Sequence, residues 1–96
     1  MKATLLRHKK VVYPDGAIVE YAVWQLPKAS AERPHGYKYR LNYSGADGAT
    51  RVRYDNELQK GDHKHIDGTE LPYIFESLEK LFEDFARDVK NARGTP

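Results

Sequence analysis

The apolar positions of the chain change period along its length, and those changes mark its elements. Val11-Val12-Tyr13 and Ala17-Ile18-Val19 flank Pro14-Asp15-Gly16, where proline supplies a fixed φ and glycine the positive φ of a hairpin turn. Two strands are predicted to meet there. The run from Ala17 to Leu26 is β-branched and aromatic with few polar residues, which predicts a central strand buried on much of both faces and ended by Pro27. Residues 27–35 hold two prolines and mixed charges and read as a loop. Strict alternation follows. Tyr37, Tyr39, Leu41 and Tyr43 fall on one side and Lys38, Arg40 and Asn42 on the other. Beyond the turn Ser44-Gly45-Ala46-Asp47-Gly48, Thr50, Val52 and Tyr54 alternate with Arg51 and Arg53, so a second hairpin with one basic face is predicted.

From Asp55 to Glu70 apolar residues nearly vanish, and that segment is read as a polar loop outside the core. From Ser77 the period becomes helical. Leu78, Leu81, Phe82, Phe85 and Val89 share a face, Ser77 is placed as N-cap, Lys90 and Arg93 lie near the end, and Gly94 follows it. The expected architecture is α+β: an antiparallel four-stranded sheet from two hairpins, with the C-terminal helix packed on one face as a second layer. Residues 1–96 form a single domain on this reading. Trp24 and Tyr21 are expected in the core, and His8 and His35 belong to no constellation.

Composition bounds the function classes. With 40% apolar and 11% aromatic residues, the chain of 96 residues can close one modest core. Cysteine is absent, which excludes disulfides and thiolate metal sites. No window approaches the roughly 20 apolar residues of a membrane span, and the N-terminus carries charges but no apolar stretch of a signal peptide. A cytoplasmic protein without membrane association is expected. The formal charge of +2 hides an asymmetry: residues 1–40 carry eight Lys/Arg against three Asp/Glu, whereas residues 41–96 carry eight against eleven. A basic N-terminal half favours a polyanionic partner.

Two places carry candidate chemistry. In the polar segment, histidine titrates near neutrality, so His63 and His65 can serve as acid and base around a phosphodiester. If the backbone is extended there, both project to one side, with Asp62 and Lys64 opposite. Asp62 or Asp55 would orient one imidazole. The same histidines, with a carboxylate from Asp55, Glu57, Asp62 or Asp67, also form an N/O ligand set for zinc or manganese. The second place is the basic sheet face: Lys38, Arg40, Arg51 and Arg53, extended by Lys9 and Lys10, suit a phosphate backbone. Lys60 and Lys64 add charge beside the histidines. The tyrosines alternate toward the core, so base stacking by them is not expected.

The order of residues also resembles a known family. Pro14-Asp15-Gly16-Ala17-Ile18-Val19-Glu20, Trp24-x-Leu26-Pro27, Lys38-Tyr39-Arg40-Leu41, Tyr54-Asp55-Asn56-Glu57, Lys60-Gly61-Asp62-His63-Lys64-His65, Pro72-Tyr73-x-Phe75 and Asp84-Phe85-x-x-Asp88-Val89 are similar to the TumE family of toxin components, over nearly the whole chain. The resemblance implies a toxin–antitoxin module with a helix-turn-helix antitoxin as partner, assembled as a heteromer or with the toxin as a homodimer. Small two-layer α+β toxins are often ribonucleases of the RelE sort, an analogy at the level of fold. The leading expectation is an endoribonuclease acting on RNA without metal or other cofactor. Arg51, Arg53 and Lys60 hold phosphate, and His63 and His65 exchange protons. Its rivals are a non-catalytic protein that binds nucleic acid or a partner, and a metal-dependent nuclease.

Overall fold

The computed structural model describes residues 3–29, 33–56 and 61–94. Its elements in chain order are β1 (Thr4–Val12), β2 (Ile18–Gln25), β3 (Tyr37–Ser44), β4 (Thr50–Asp55), β5 (His63–Ile66), β6 (Thr69–Pro72) and α1 (Leu78–Arg93). The strands form one antiparallel sheet in which each pairs with its neighbours in sequence. Such a meander needs only short turns, and the first is built as its residues dictate. Gly16 takes φ 93° and donates to the Tyr13 carbonyl at 2.9 Å, while the Asp15 carboxylate accepts the Ala17 amide at 3.0 Å.

The sheet has six strands, not four. The segment expected as a polar loop supplies β5 and β6. Asp67 and Gly68, at φ 48° and 86°, make a two-residue turn between the paired residues Ile66 and Thr69. Positive φ at both central positions matches the right-handed twist of the flanking strands. The segment is polar because β5 and β6 lie at one side of a sheet with a single covering layer, so few of their side chains need to be apolar.

The helix forms that layer. Ser77 caps it, its hydroxyl accepting the Lys80 amide at 3.0 Å, and Gly94 closes it in the left-handed region. Leu81, Phe85 and Val89 are buried against Val19, Val23, Tyr39, Leu41, Tyr43, Val52 and Tyr54. Each large apolar side chain so buried contributes about 1.5–3 kcal/mol. The rings of Tyr21 and Phe82, and of Tyr54 and Phe85, meet edge to face at 5.0 and 5.8 Å. One expectation is corrected here: β2 is central but buried on one face only. Val19 and Val23 are buried, Glu20 is exposed, and Trp24 is half-buried beneath Lys38, whose Nζ lies 5.3 Å from its ring centroid. A two-layer protein leaves the second face of its sheet to solvent.

Asn56 ends the β3–β4 ladder with its side chain. Its Oδ1 accepts the Tyr39 amide at 3.0 Å, its Nδ2 donates to the Tyr37 carbonyl at 2.7 Å, and its own carbonyl accepts two bonds from the Arg33 guanidinium. Both β3 backbone groups are satisfied where no further β4 residue pairs with them.

Candidate active site on the open sheet face

Antiparallel register decides which side chains meet on the uncovered face, because directly paired residues point to the same side. One row across the sheet runs Lys10, Glu20, Asn42, Arg53, His65, Glu70, and the adjacent row runs His8, Ala22, Arg40, Asp55, His63, Pro72. Four expected site residues, Arg53, Asp55, His63 and His65, therefore form a square on β4 and β5. Arg40 adjoins it on β3 and Glu70 on β6.

The two histidines differ. The His63 side chain is 7% exposed and that of His65 31%, so only His65 reaches solvent freely. Their rings meet edge to face at 5.3 Å. His63 Nδ1 lies 2.9 Å from the Gly61 carbonyl. A carbonyl can only accept, so the proton sits on Nδ1 and, in the neutral ring, Nε2 carries a lone pair. Nε2 faces Asp55 Oδ1 at 2.5 Å. That oxygen is buried and forms no hydrogen bond among the described residues. The other Asp55 oxygen accepts Arg53 Nε at 2.8 Å. Glu70 Oε1 stands 3.4 Å from His65 Nε2 and 4.0 Å from His63 Nε2.

Cationic groups flank this cluster. Arg53, Arg40, Lys38 and Asp55 share a cleft of about 210 Å³, and Arg40 and Arg53 also border a larger groove of about 430 Å³ with His8, Glu20, Trp24 and Asn42. Arg40 is exposed and forms no ion pair among the described residues. Lys10 joins this face, whereas Lys9 is paired with Tyr21 on the helix side.

Three expected site residues stand elsewhere. Arg51 is the extra residue of a β-bulge, since Tyr43 pairs with Val52 and Ser44 with Thr50. Its guanidinium is carried to the helix side, where it binds Asp67 and reaches the Ala92 carbonyl. Lys64 alternates with the histidines and lies 3.2 Å from Asp88, beside the Tyr54 hydroxyl. Asp62 likewise faces the helix layer, where both its oxygens lie 3.0–3.2 Å from His35 Nε2. The His35 Nδ1 accepts the Tyr37 amide at 3.1 Å, which places the ring proton on Nε2 and makes His35 the donor to Asp62. Asp55 is thus the carboxylate beside His63, and Asp62 is held apart from it. Lys60 and Glu57 lie outside the described residues.

Sequence reasoning missed two participants. Glu70 was read as the end of a loop, although a two-residue Asp67-Gly68 turn brings it opposite His65. His35, expected to belong to no constellation, packs against Phe75 with ring centroids 4.0 Å apart and holds the start of β5 through Asp62. Beneath the sheet, a second polar layer locks the helix. Burial opposes ionisation of Asp84, yet bonds from Lys80, Tyr73 and Arg87 hold its carboxyl below the ordinary value of 3.8. Burial and the bond to Asp88 push the Tyr54 hydroxyl well above the usual tyrosine range, and burial with the nearby Asp62 carboxylate does the same for Tyr39.

The family described as Toxin TumE matches residues 2–93. The chain belongs to the TumE toxin family. No curated protein and no solved structure matches it. Membership makes this protein a toxin and implies an antitoxin that neutralises it. Among the described residues no helix of the toxin is long and apolar enough to cross a membrane.

Proposed function

We propose that the toxin is an endoribonuclease that holds RNA on its open sheet face and cleaves it at the His63–His65 cluster. One observation carries this reading: strand register gathers Arg40, Arg53, Asp55, His63, His65 and Glu70 on the one face that no other layer covers. Cleavage by the substrate's own 2′-hydroxyl needs a base, an acid and cations around the phosphate. The 2′-oxygen attacks phosphorus, the bond to the 5′-oxygen breaks, and the products carry a 2′,3′-cyclic phosphate and a 5′-hydroxyl. Arg40, Arg53 and Lys38 neutralise the phosphate. His65, the solvent-facing imidazole, takes the 2′-hydroxyl proton. In the ion-free version His63 returns a proton to the departing oxygen.

The second reading, a metal-dependent nuclease, is favoured by a specific observation. His63 is buried against Asp55, which suits a fixed ligand better than a mobile acid, and Glu70 completes a three-donor group with both imidazoles. The cognate antitoxin, of helix-turn-helix type on the family resemblance, is proposed to block this face in a toxin–antitoxin heteromer. Induced expression with and without the neighbouring gene, followed by sequencing of RNA ends, tests the proposal. New cut ends that appear only without the antitoxin are expected. Growth arrest with intact RNA would instead identify a non-catalytic toxin acting by binding.

A further inference from the structure

We infer that His63, His65 and Glu70 form a binding site for one divalent transition-metal ion of the zinc class, with Asp55 closing it from the buried side. The inference deepens the proposed reaction, and what the ion would do there rests on that reading; the binding itself does not.

The donor atoms of these three residues lie within 4.8 Å of one another. Ligands about 2.0–2.1 Å from a tetrahedral zinc ion stand roughly 3.3 Å apart. His65 Nε2 and Glu70 Oε1, at 3.4 Å, already have that separation, and His63 Nε2 and Glu70 Oε1, at 4.0 Å, are within a small side-chain shift of it. The backbone provides the arrangement: β5 alternation puts both imidazoles on one side, and the β5–β6 register sets Glu70 directly against His65.

A second observation comes from the buried side. Asp55 is 3% exposed and its Oδ1 accepts no hydrogen bond among the described residues, which leaves the desolvation cost of a buried carboxylate oxygen to be met by its contact with His63. It faces His63 Nε2, the nitrogen left for a ligand because Nδ1–H is committed to the Gly61 carbonyl. Two electron-pair donors so close in a buried position call for a cation: a proton meets that need in the ion-free protein, and because 2.5 Å is shorter than the roughly 3.3 Å between ligands of one zinc, Asp55 must draw back when a metal ion takes the proton's place. The Nδ1–H to carbonyl bond is also what orients a metal-binding imidazole. Two imidazoles and two carboxylates, with no sulfur, suit zinc and its first-row neighbours rather than calcium or magnesium. An ion so held neighbours Arg53 and would polarise a phosphate oxygen or a bound water on the open face.

The test uses the full-length chain, stripped with chelator and titrated with Zn²⁺ by calorimetry and with Co²⁺ by visible absorption. One ion per chain is expected. His65→Ala and Glu70→Gln, both at accessible positions, should weaken binding at least tenfold while circular dichroism stays unchanged. Asp55→Asn should weaken it by about 10–100-fold, and Glu83→Gln, which removes an exposed carboxylate on the helix, should leave it unaltered. Absence of binding by the wild-type chain, or equal affinity in His65→Ala and Glu70→Gln, overturns the inference. An ion bound by a toxin that cuts no RNA would overturn the nuclease reading alone, and RNA cutting by a chain that binds no ion would overturn the site alone.

Discussion

The two faces of the sheet use the same strands for opposite ends. On the helix side, Tyr39, Leu41, Val52 and Tyr54 are almost wholly buried, the charges there answer one another, Lys64 with Asp88 and Lys80 and Arg87 with Asp84, and His35 donates a hydrogen bond to Asp62. On the open face one residue further along each strand, Arg40, Arg53, His65 and Glu70 stand half or fully in solvent, with little apolar area to bury. The first face holds the molecule together, and the second carries the proposed site. A period of two therefore separates stability from the proposed function, so substitutions on alternate residues should fall into different classes.

The largest effect belongs to the covered face. Leu81 is fully buried, and Leu81→Ala removes its burial and leaves a cavity, which should cost about 2–5 kcal/mol. Urea unfolding is expected to show a lowered midpoint with an unchanged slope. A change under about 1 kcal/mol would mean that the helix is not the layer on which the sheet depends.

His65→Ala makes the opposite separation. It removes a half-exposed imidazole, so stability should move by less than about 1 kcal/mol, while toxicity and RNA cleavage fall about 10²-fold or more. If the variant remains fully toxic, the open face does not hold the active site.

The faces also differ in how much of each was legible. Alternation in β3 and β4 and the helical stripe from Leu78 follow directly from apolar spacing, because burial selects apolar side chains at a fixed period. Burial also explains why β5 and β6 were hidden. His63, His65, Thr69 and Glu70 face solvent or one another, so no hydrophobic pattern records them, and composition alone reads them as loop. Turn chemistry held the missing signal. Taking Asp67-Gly68 as a two-residue hairpin turn fixes the pairs Ile66–Thr69, His65–Glu70 and His63–Pro72 by counting. The carboxylate opposite the histidines then follows from sequence. The Arg51 bulge could not be counted in this way, since an unpaired extra residue reverses the alternation without changing the sequence pattern.

Asp84 sharpens the comparison through pH. Its folded pKa is depressed, so its contribution to stability is present above the ordinary value of 3.8 and is lost as pH falls through the lower folded value. Asp84→Asn removes the negative charge that holds Lys80 and Arg87 and leaves one amide oxygen where two carboxylate oxygens serve three donors, which should cost about 1–3 kcal/mol at neutral pH. The difference from wild type should shrink as the pH drops below about 4. Thermal unfolding between pH 2 and 7 measures it, and a constant difference across that range would show that the three donors do not depend on the carboxylate's charge.

The smallest effect distinguishes the cations of the two faces. A protein that neutralises phosphates of a single strand loses affinity with salt at a slope of about 0.7 per contact in log K against log salt. Lys38 and Arg40 project from the open face, and Arg40 has no carboxylate partner among the described residues, so its charge is available to a phosphate. Lys64 is committed to Asp88 and Arg51 to Asp67 on the other side. Binding of single-stranded RNA to a cleavage-deficient His65→Ala chain, measured by fluorescence anisotropy across salt concentrations, should therefore lose about 1.4 in slope when Lys38→Gln and Arg40→Gln are combined. The Arg51→Gln and Lys64→Gln pair removes the same formal charge. Its effect should be confined to the long-range field, which screening suppresses beyond about 10 Å at 0.1 M salt, so its slope should match the parent within error. Equal losses for the two pairs would mean that RNA senses only net charge, and that the open face has no special claim on the backbone. A loss larger for Arg51 and Lys64 would move the nucleic-acid surface to the helix side.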